Sequence, residues 1–444
     1  MRDGPFFRSV ERPAVFAAAV VGVRMNRPLA APHGFVLIAL ALLFIASGCG
    51  VQDSGTQRDH APRHESLTAA IADAMSIEDP LARAARLATA LQGFDEEALG
   101  EVHEARIVVE NGIDGSQTVE LALLIDWWAR YDPEGAFTWL LKSRRQGNPV
   151  LMTALVQSWA TRAPIFASRA IEVLSARPQD SSQIIRALVQ GWNASGAPGV
   201  EEYLIALKSD VSRQVALTGL AIQKVQRDGV EETIRWAEAL SGDAAGDFKQ
   251  LAFRRVAGAV AGVDPIRAAA WAESQRGGQW GVGLARAVTQ KWCEQDGQSA
   301  MEWLRGLPDP GSADVARAFE EGYRTWLNTD REAARAWLHE QELDSSLDPV
   351  VAIYARSTAR EDPEAAIPWA ARINDEVQRN ETLEKIAQAW MHRDPDAARV
   401  WLEKGELSDL AVQRVYASRE RAKERAKAMG AKKRAARKRA EAGK

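Results

Sequence analysis

The sequence predicts an all-α solenoid of nine to ten helix-pair repeats, and three observations carry that prediction. An Asp, an Ala four residues on and a Trp three further recur every 32 to 34 residues along the second half of the chain, as DPIRAAAW (264–271), DGQSAMEW (296–303), DREAARAW (330–337), DPEAAIPW (362–369) and DPDAARVW (394–401), with DPEGAFTW (132–139) an earlier copy. Ahead of each copy lies a segment whose apolar residues fall three and four apart, on one face of a helix. The 444 residues include 15 Trp, so large side chains must find many separate packing sites. A unit of this length is a pair of helices that cannot bury its apolar face alone and closes it on adjacent copies.

In chain order, residues 34–48 (GFVLIALALLFIASG) form an uncharged apolar run of fifteen residues that ends at Cys49. A membrane-spanning helix needs about 20. Arg27 precedes the run, so MNRPLAAPHG and the apolar stretch read as a signal peptide spanning 1–48, with its true start at Met25 and residues 1–24 an extension or a misassigned start. The junction IASGC (45–49) resembles the processing box of bacterial lipoproteins, with Ala46 three before the cysteine. That resemblance implies acylation of Cys49 on its thiol and, after cleavage, on its amine; an uncleaved anchor is the alternative. Gly50 and Val51 follow, where an Asp retains lipoproteins at the inner membrane of enteric bacteria, so the expected location is the outer membrane, facing the periplasm. Two or more acyl chains anchor firmly where one does not. Residues 49–65 are polar without apolar period and read as a flexible tether.

Residues 66–115 read as a helical capping region: a helical pattern to about Leu91 with an Asp-Pro start at 79–80, then a helical segment at 96–110 ended by NGIDGS (111–116). The array occupies 116–415. First helices are expected in SQTVELALLIDWWAR (116–130), NPVLMTALVQSWATR (148–162), SQIIRALVQGWNA (182–194), WGVGLARAVTQKWCEQ (280–295) and LEKIAQAWMHR (383–393), with Trp128, Trp159, Trp192, Trp292, Trp326 and Trp390 near helix ends. Second helices open on Asp132, Asp264, Asp296, Asp330, Asp362 and Asp394, with Asp228 in the same role. An Asp there accepts from free backbone amides at the positive end of the helix dipole, and a following Pro forfeits no helical bond. The Ala one turn in lets paired helices approach, and Trp139, Trp271, Trp303, Trp337, Trp369 and Trp401 are expected in the core between units. Positions four before the second-helix start align at 128, 159, 192, 224, 260, 292, 326, 358 and 390, with Ala163 and Gly196 where an Asp is expected. The longest step contains a small insertion, SGDAAGDF (241–248), and breaks fall at 175–182, 194–199 and 305–312.

This Asp-x-x-x-Ala-x-x-Trp pattern resembles the second helix of the tetratricopeptide-like superfamily over about residues 70–415, with a Trp at the end of the first helix in place of that family's Trp-x-x-Leu-Gly. The resemblance implies a right-handed superhelix that presents a binding surface.

From Tyr416 the chain carries 12 basic and 3 acidic groups, against 39 basic and 55 acidic over 49–415. An acidic body therefore ends in a basic arm (416–444), expected to extend the last helix and to be disordered or conditionally helical after Gly430. Such an arm invites a nucleic-acid reading. The export signal argues against it and favours anionic lipid head groups, lipopolysaccharide phosphates or an acidic protein partner; a tail folded back on its acidic body is the alternative.

The sequence contains no nucleotide loop, Gly-x-Ser-x-Gly elbow or metal-ligand spacing, so no catalytic residue, cofactor or metal is expected. Cys293 reads as a small buried residue, and His392 as a neighbour of the Asp394 cap. Paired carboxylates such as Glu201–Glu202 and Asp95–Glu97 read as ordinary solvated faces. The favoured function is a non-enzymatic envelope scaffold for a protein or peptide partner. A cell-wall-polymer enzyme with dispersed catalytic residues and a structural spacer are the alternatives.

Overall fold

The computed structural model describes residues 66–111, 117–145, 147–172, 181–241 and 246–442. The signal run, Cys49 and the 49–65 tether lie outside the described residues, as do most of the predicted breaks at 111–116 and 175–182 and part of the insertion at 241–248. Among the described residues all regular structure is helical, and no helix is long and apolar enough to cross a membrane.

The N-terminal region comprises α1 (Leu67–Met75), α2 (Pro80–Leu91), a 3-10 turn (Glu96–Glu101) and α3 (Val102–Glu110). Nine hairpins follow. They pair α4 (Thr118–Tyr131) with α5 (Pro133–Lys142), α6 (Pro149–Ala160) with α7 (Pro164–Glu172), and α8 (Ser181–Ser195) with α9 (Val200–Ala206). Next come α10 (Asp210–Asp228) with α11 (Val230–Ala239), α12 (Gly246–Ala261) with α13 (Pro265–Ser274), and α14 (Leu284–Trp292) with α15 (Gly297–Gly306). The last three are α16 (Ala313–Thr329) with α17 (Arg331–Glu340), α18 (Asp348–Thr358) with α19 (Pro363–Ala370), and α20 (Glu376–Arg393) with α21 (Pro395–Leu402). Helix α22 (Asp409–Ala442) closes the chain. Nine hairpins carry the predicted period, and the flanking helices, three before and one after, pack on them and extend the array to the length of about eleven helix pairs, twenty-two described α-helices in all. The architecture is an all-α, tetratricopeptide-like solenoid.

All six predicted caps form. Asp132, Asp264, Asp296, Asp330 and Asp362 each accept from the amide three residues on at 2.9–3.0 Å, and Asp394 accepts from Asp396 and Ala397 at 3.2 and 3.1 Å. Asp264→Ala is expected to cost about 1 kcal/mol in chemical denaturation, with Asp264→Asn close to the parent; equal losses in both variants would show that the side-chain cap is not the cause. Asp228 departs from expectation. It ends α10, ion-pairs with Arg227 at 2.6 Å and leaves the N-cap of α11 to Gly229, whose φ is 88°. In the neighbouring degraded unit, α9 opens behind Gly199 (φ 102°), three residues beyond Gly196. Both helices begin on a left-handed backbone turn that a glycine adopts without strain.

The Ala four residues after each capping Asp is fully buried. There the two rings of a hairpin meet, with Trp128–Trp139, Trp292–Trp303, Trp326–Trp337 and Trp390–Trp401 centroids 5.8–6.1 Å apart. The core assignment of the second-helix tryptophans divides. Trp271, Trp337 and Trp401 are buried, whereas Trp139, Trp303 and Trp369 are only half-buried. Of these three rings Trp303 has its indole N–H bonded to a carboxylate. Successive second helices are stitched in this way: Trp236 donates to Glu201 at 2.9 Å, Trp271 to Glu238 at 2.9 Å and Trp303 to Glu273 at 2.7 Å. So Glu201, read as a solvated carboxylate, is an acceptor between units, and Asp95 caps the 3-10 turn through the Glu97 amide.

Among the described residues the buried apolar side chains fall into three clusters that succeed one another along the chain, with no central core. This is the arrangement expected when each unit packs on its neighbours. Helix α22 runs unbroken past Gly430 to Ala442, where the sequence suggested disorder or conditional helix. Its Ala, Lys, Arg and Glu residues are strong helix formers, and Glu420–Lys423 and Glu424–Lys427 pair one turn apart.

Candidate functional site

Each first helix from α4 to α22 packs directly on the first helix of the next unit, whereas successive second helices barely touch. Stacked pairs that are close on one side and splayed on the other curve toward the close side. The first helices therefore line the inner, concave surface of the superhelix, the usual binding face of such arrays. The approach is tight at Gly191 of α8, where a Cβ would collide with the Gln157 carbonyl on α6.

Polar side chains on this inner ladder share registers. Thr153, Arg186, Thr218, Arg254, Arg286, Glu320 and Glu384 each stand six residues before the aligned first-helix position, and all are half-buried or exposed. Toward the C-terminus the row is internally neutralised: Glu320 pairs with Arg324 at 2.8 Å and Arg356 at 3.7 Å, and Glu384 with Arg414 at 2.6 Å. Between α8 and α14 the balance differs. Arg286 meets Glu321 only at 3.5 Å, and Arg186 and Arg254 have no ion pair among the described residues. Arg255 donates to Gln214 on α10 at 2.8 Å, and its buried Nε has no partner. Burial first, then the adjacent Arg254 and Arg286 charges, hold the Arg255 guanidinium below its ordinary range.

A cleft of about 310 Å³ adjoins this section, where the glycine-rich loop after α13 passes the ends of α15 and α16. Glu273, Arg276, Trp303, Ser312 and Asp314 contribute polar groups to its lining, and Asp314 accepts from the Gly283 amide at 3.0 Å. The Arg254 stem crosses the open face of Gly283, where an added Cβ would lie 3.0 Å from Cδ. Cleft and arginines therefore meet at one backbone position.

None of the residues singled out by the repeat motif lies in the arginine section. The capping Asp residues serve helix starts, and the motif tryptophans fill the space within and between hairpins, only Trp303 reaching the cleft wall. The arginines were hidden because they occupy positions the motif leaves free; aligning first helices by register, rather than second helices by motif, brings them into one row. Cys293 is buried, and burial, then Asp296 and Glu294, push its thiol up to about 12, so it is not a thiolate nucleophile. His392 is exposed at the end of α20, beside the Asp394 cap. Among the described residues no cluster of His, Cys, Asp and Glu is arranged to hold a metal. The chain matches no protein-family model, no curated protein and no solved structure.

Proposed function

We propose that this protein is a lipid-anchored scaffold of the bacterial envelope that presents the concave face of its superhelix to a protein or peptide partner. The observation that carries the reading is the unbroken inner ladder of first helices, whose polar positions vary while the packing positions repeat. Packing residues hold the surface in shape, and the variable ones are free to recognise. The anchoring half rests on the sequence alone: the apolar run ending in IASGC, with Cys49 as acceptor of the acyl chains and the outer membrane, periplasmic side, as destination. The polar 49–65 stretch tethers body to bilayer, and the basic arm, 12 positive groups against 3 negative, lies against anionic lipid head groups or envelope polymer. Binding without catalysis requires no cofactor, and nucleic acid is not the expected partner of an exported protein.

Two measurements test this. A photo-cross-linking residue at Thr153 or Gln290, on the ladder, should capture a discrete partner in intact cells, whereas one at Val400 or Arg235, exposed on second helices, should not. Silence at every ladder position would favour a spacer. Cys49→Ser should abolish incorporation of labelled fatty acid and release the protein from membranes; undiminished labelling would remove the lipid anchor.

A further inference from the structure

We infer that the arginine-bearing section of the inner ladder, from Arg186 on α8 to Arg286 on α14, seats an acidic stretch of a partner polypeptide. This inference rests on the binding reading above and names the chemistry of what is bound.

The chain from 49 to 415 carries a net charge of −16, yet here Arg186 and Arg254 have no ion pair among the described residues, and Arg286 has only a long one to Glu321. Elsewhere on the same register the charges neutralise one another, as at Glu320 and Glu384. Arg255 adds a fourth guanidinium whose buried Nε finds no acceptor. Grouping cations in this way raises the energy of the free protein unless an anion joins them. Guanidinium forks are suited to carboxylates, which they bind through two parallel hydrogen bonds.

The arginine side chains are also seated. A side chain at Gly219 of α10 would press on the Arg186 stem at 2.9 Å, and one at Gly283 would press on Arg254 at 3.0 Å. Each arginine therefore lies across a glycine of the next rung, and its reach along the ladder depends on that bare backbone. Ordered side chains give up less entropy on binding.

Neighbouring amides favour polypeptide over other polyanions. Gln157, Gln190 and Gln290 stand on the register two before the aligned position, and their side-chain amides have no hydrogen-bond partner among the described residues. An amide offers both donor and acceptor, which an extended peptide backbone can use together. A phosphate chain offers acceptors only. The body's net negative charge does not attract an acidic peptide at long range, so binding has to come from a local group of cations such as this one.

The test uses the full chain and fluorescence anisotropy with a short fluorescein-labelled peptide of alternating Glu and Val, with Gln replacing Glu in the control peptide. Binding of the Glu peptide alone is expected. Combined Arg254→Gln and Arg286→Gln should weaken it at least about tenfold, the loss of one charged hydrogen-bonded pair or more. Should that variant melt earlier than the parent, Arg186→Gln, at an exposed position, gives a smaller loss of about threefold on an intact fold. Lys432→Gln with Lys433→Gln in the arm should leave peptide affinity unchanged. Unchanged binding by the ladder variants, or loss of binding in the arm variant, would overturn the inference. So would displacement of the peptide by inorganic polyphosphate at lower carboxylate-equivalent concentration, which would assign the section to phosphate polymers. A parent protein that ignores the Glu peptide yet still cross-links a partner through its ladder refutes this inference alone; absence of both refutes the binding reading itself.

Discussion

Replacing Trp271 by Ala is expected to lower the unfolding free energy by about 3–5 kcal/mol, the largest loss among the motif tryptophans. Trp271 is 2% exposed, stacks on Phe253 with centroids 5.1 Å apart and donates its indole N–H to Glu238 at 2.9 Å. Truncation removes the ring from a packed site between α12 and α14, leaves a cavity that rigid helices cannot close, and deprives Glu238 of its main donor. Trp369→Ala should cost roughly half as much, because that ring is half-buried and gathers much of its contact from the rings of His339 and Tyr354. Denaturation followed by far-ultraviolet circular dichroism measures both without interference from the remaining tryptophans. A loss under about half a kcal/mol for Trp271→Ala is what a surface position gives, and would contradict its place in the core.

Breaking the buried Arg83–Glu120 ion pair of the N-terminal region should cost nearly as much. Arg83 of α2 bonds Glu120 of α4 at 2.7 Å, with each side chain 5% exposed. Arg83 also donates to the Ile77 carbonyl at 3.1 Å. Glu120→Leu removes the carboxylate that Arg83 bonds in this buried site, and a loss of about 3–5 kcal/mol is expected. Arg83→Met combined with Glu120→Leu should recover most of it, because two apolar groups of similar volume need no charge compensation. The comparison is diagnostic: a double variant no better than Glu120→Leu would show that packing around Glu120, and not its charge, holds the first rung to the array. Amide hydrogen exchange should place the damage in α1 to α4, since a stack of nearest-neighbour interfaces confines injury to adjacent units.

Much of this architecture is legible in the chain because the motif residues have local jobs. An Asp that caps a helix, a Pro that fits its first turn and an Ala one turn on need only their own hairpin to be useful, so Asp264, Pro265 and Ala268 announce their helix directly. Where the local signal lapses, boundaries shift. Asp228 looks like a cap but finishes the preceding helix, because Gly229 provides the turn and Arg227 and Lys224 claim its carboxylate. Burial of Trp139, Trp303 and Trp369 is harder to read, since it depends on how far the next unit covers each ring, a property of two units and not one. The ladder is less legible still. Arg254 and Arg286 carry no motif, and their significance arises only when α12 and α14 lie side by side; likewise the Trp–Glu bonds between second helices join residues about one repeat apart. Even so, Trp337 and Trp401 bury indole N–H groups without such a partner. Arg305 and Ala371 occupy the equivalent positions, and neither side chain can accept.

Helix pairs that close their apolar faces only on neighbours should tolerate removal of one whole unit. Excision of residues 330–361, joining Thr329 to Asp362, deletes α17 and α18 and sets α16 ahead of α19 with the Asp cap in register. The shortened chain should keep its helicity per residue and melt cooperatively, at a temperature lowered by the imperfect new interface. Collapse to an unfolded or aggregated chain, to the same extent as an out-of-register deletion of half a unit, would show that a single indivisible core holds the molecule together instead.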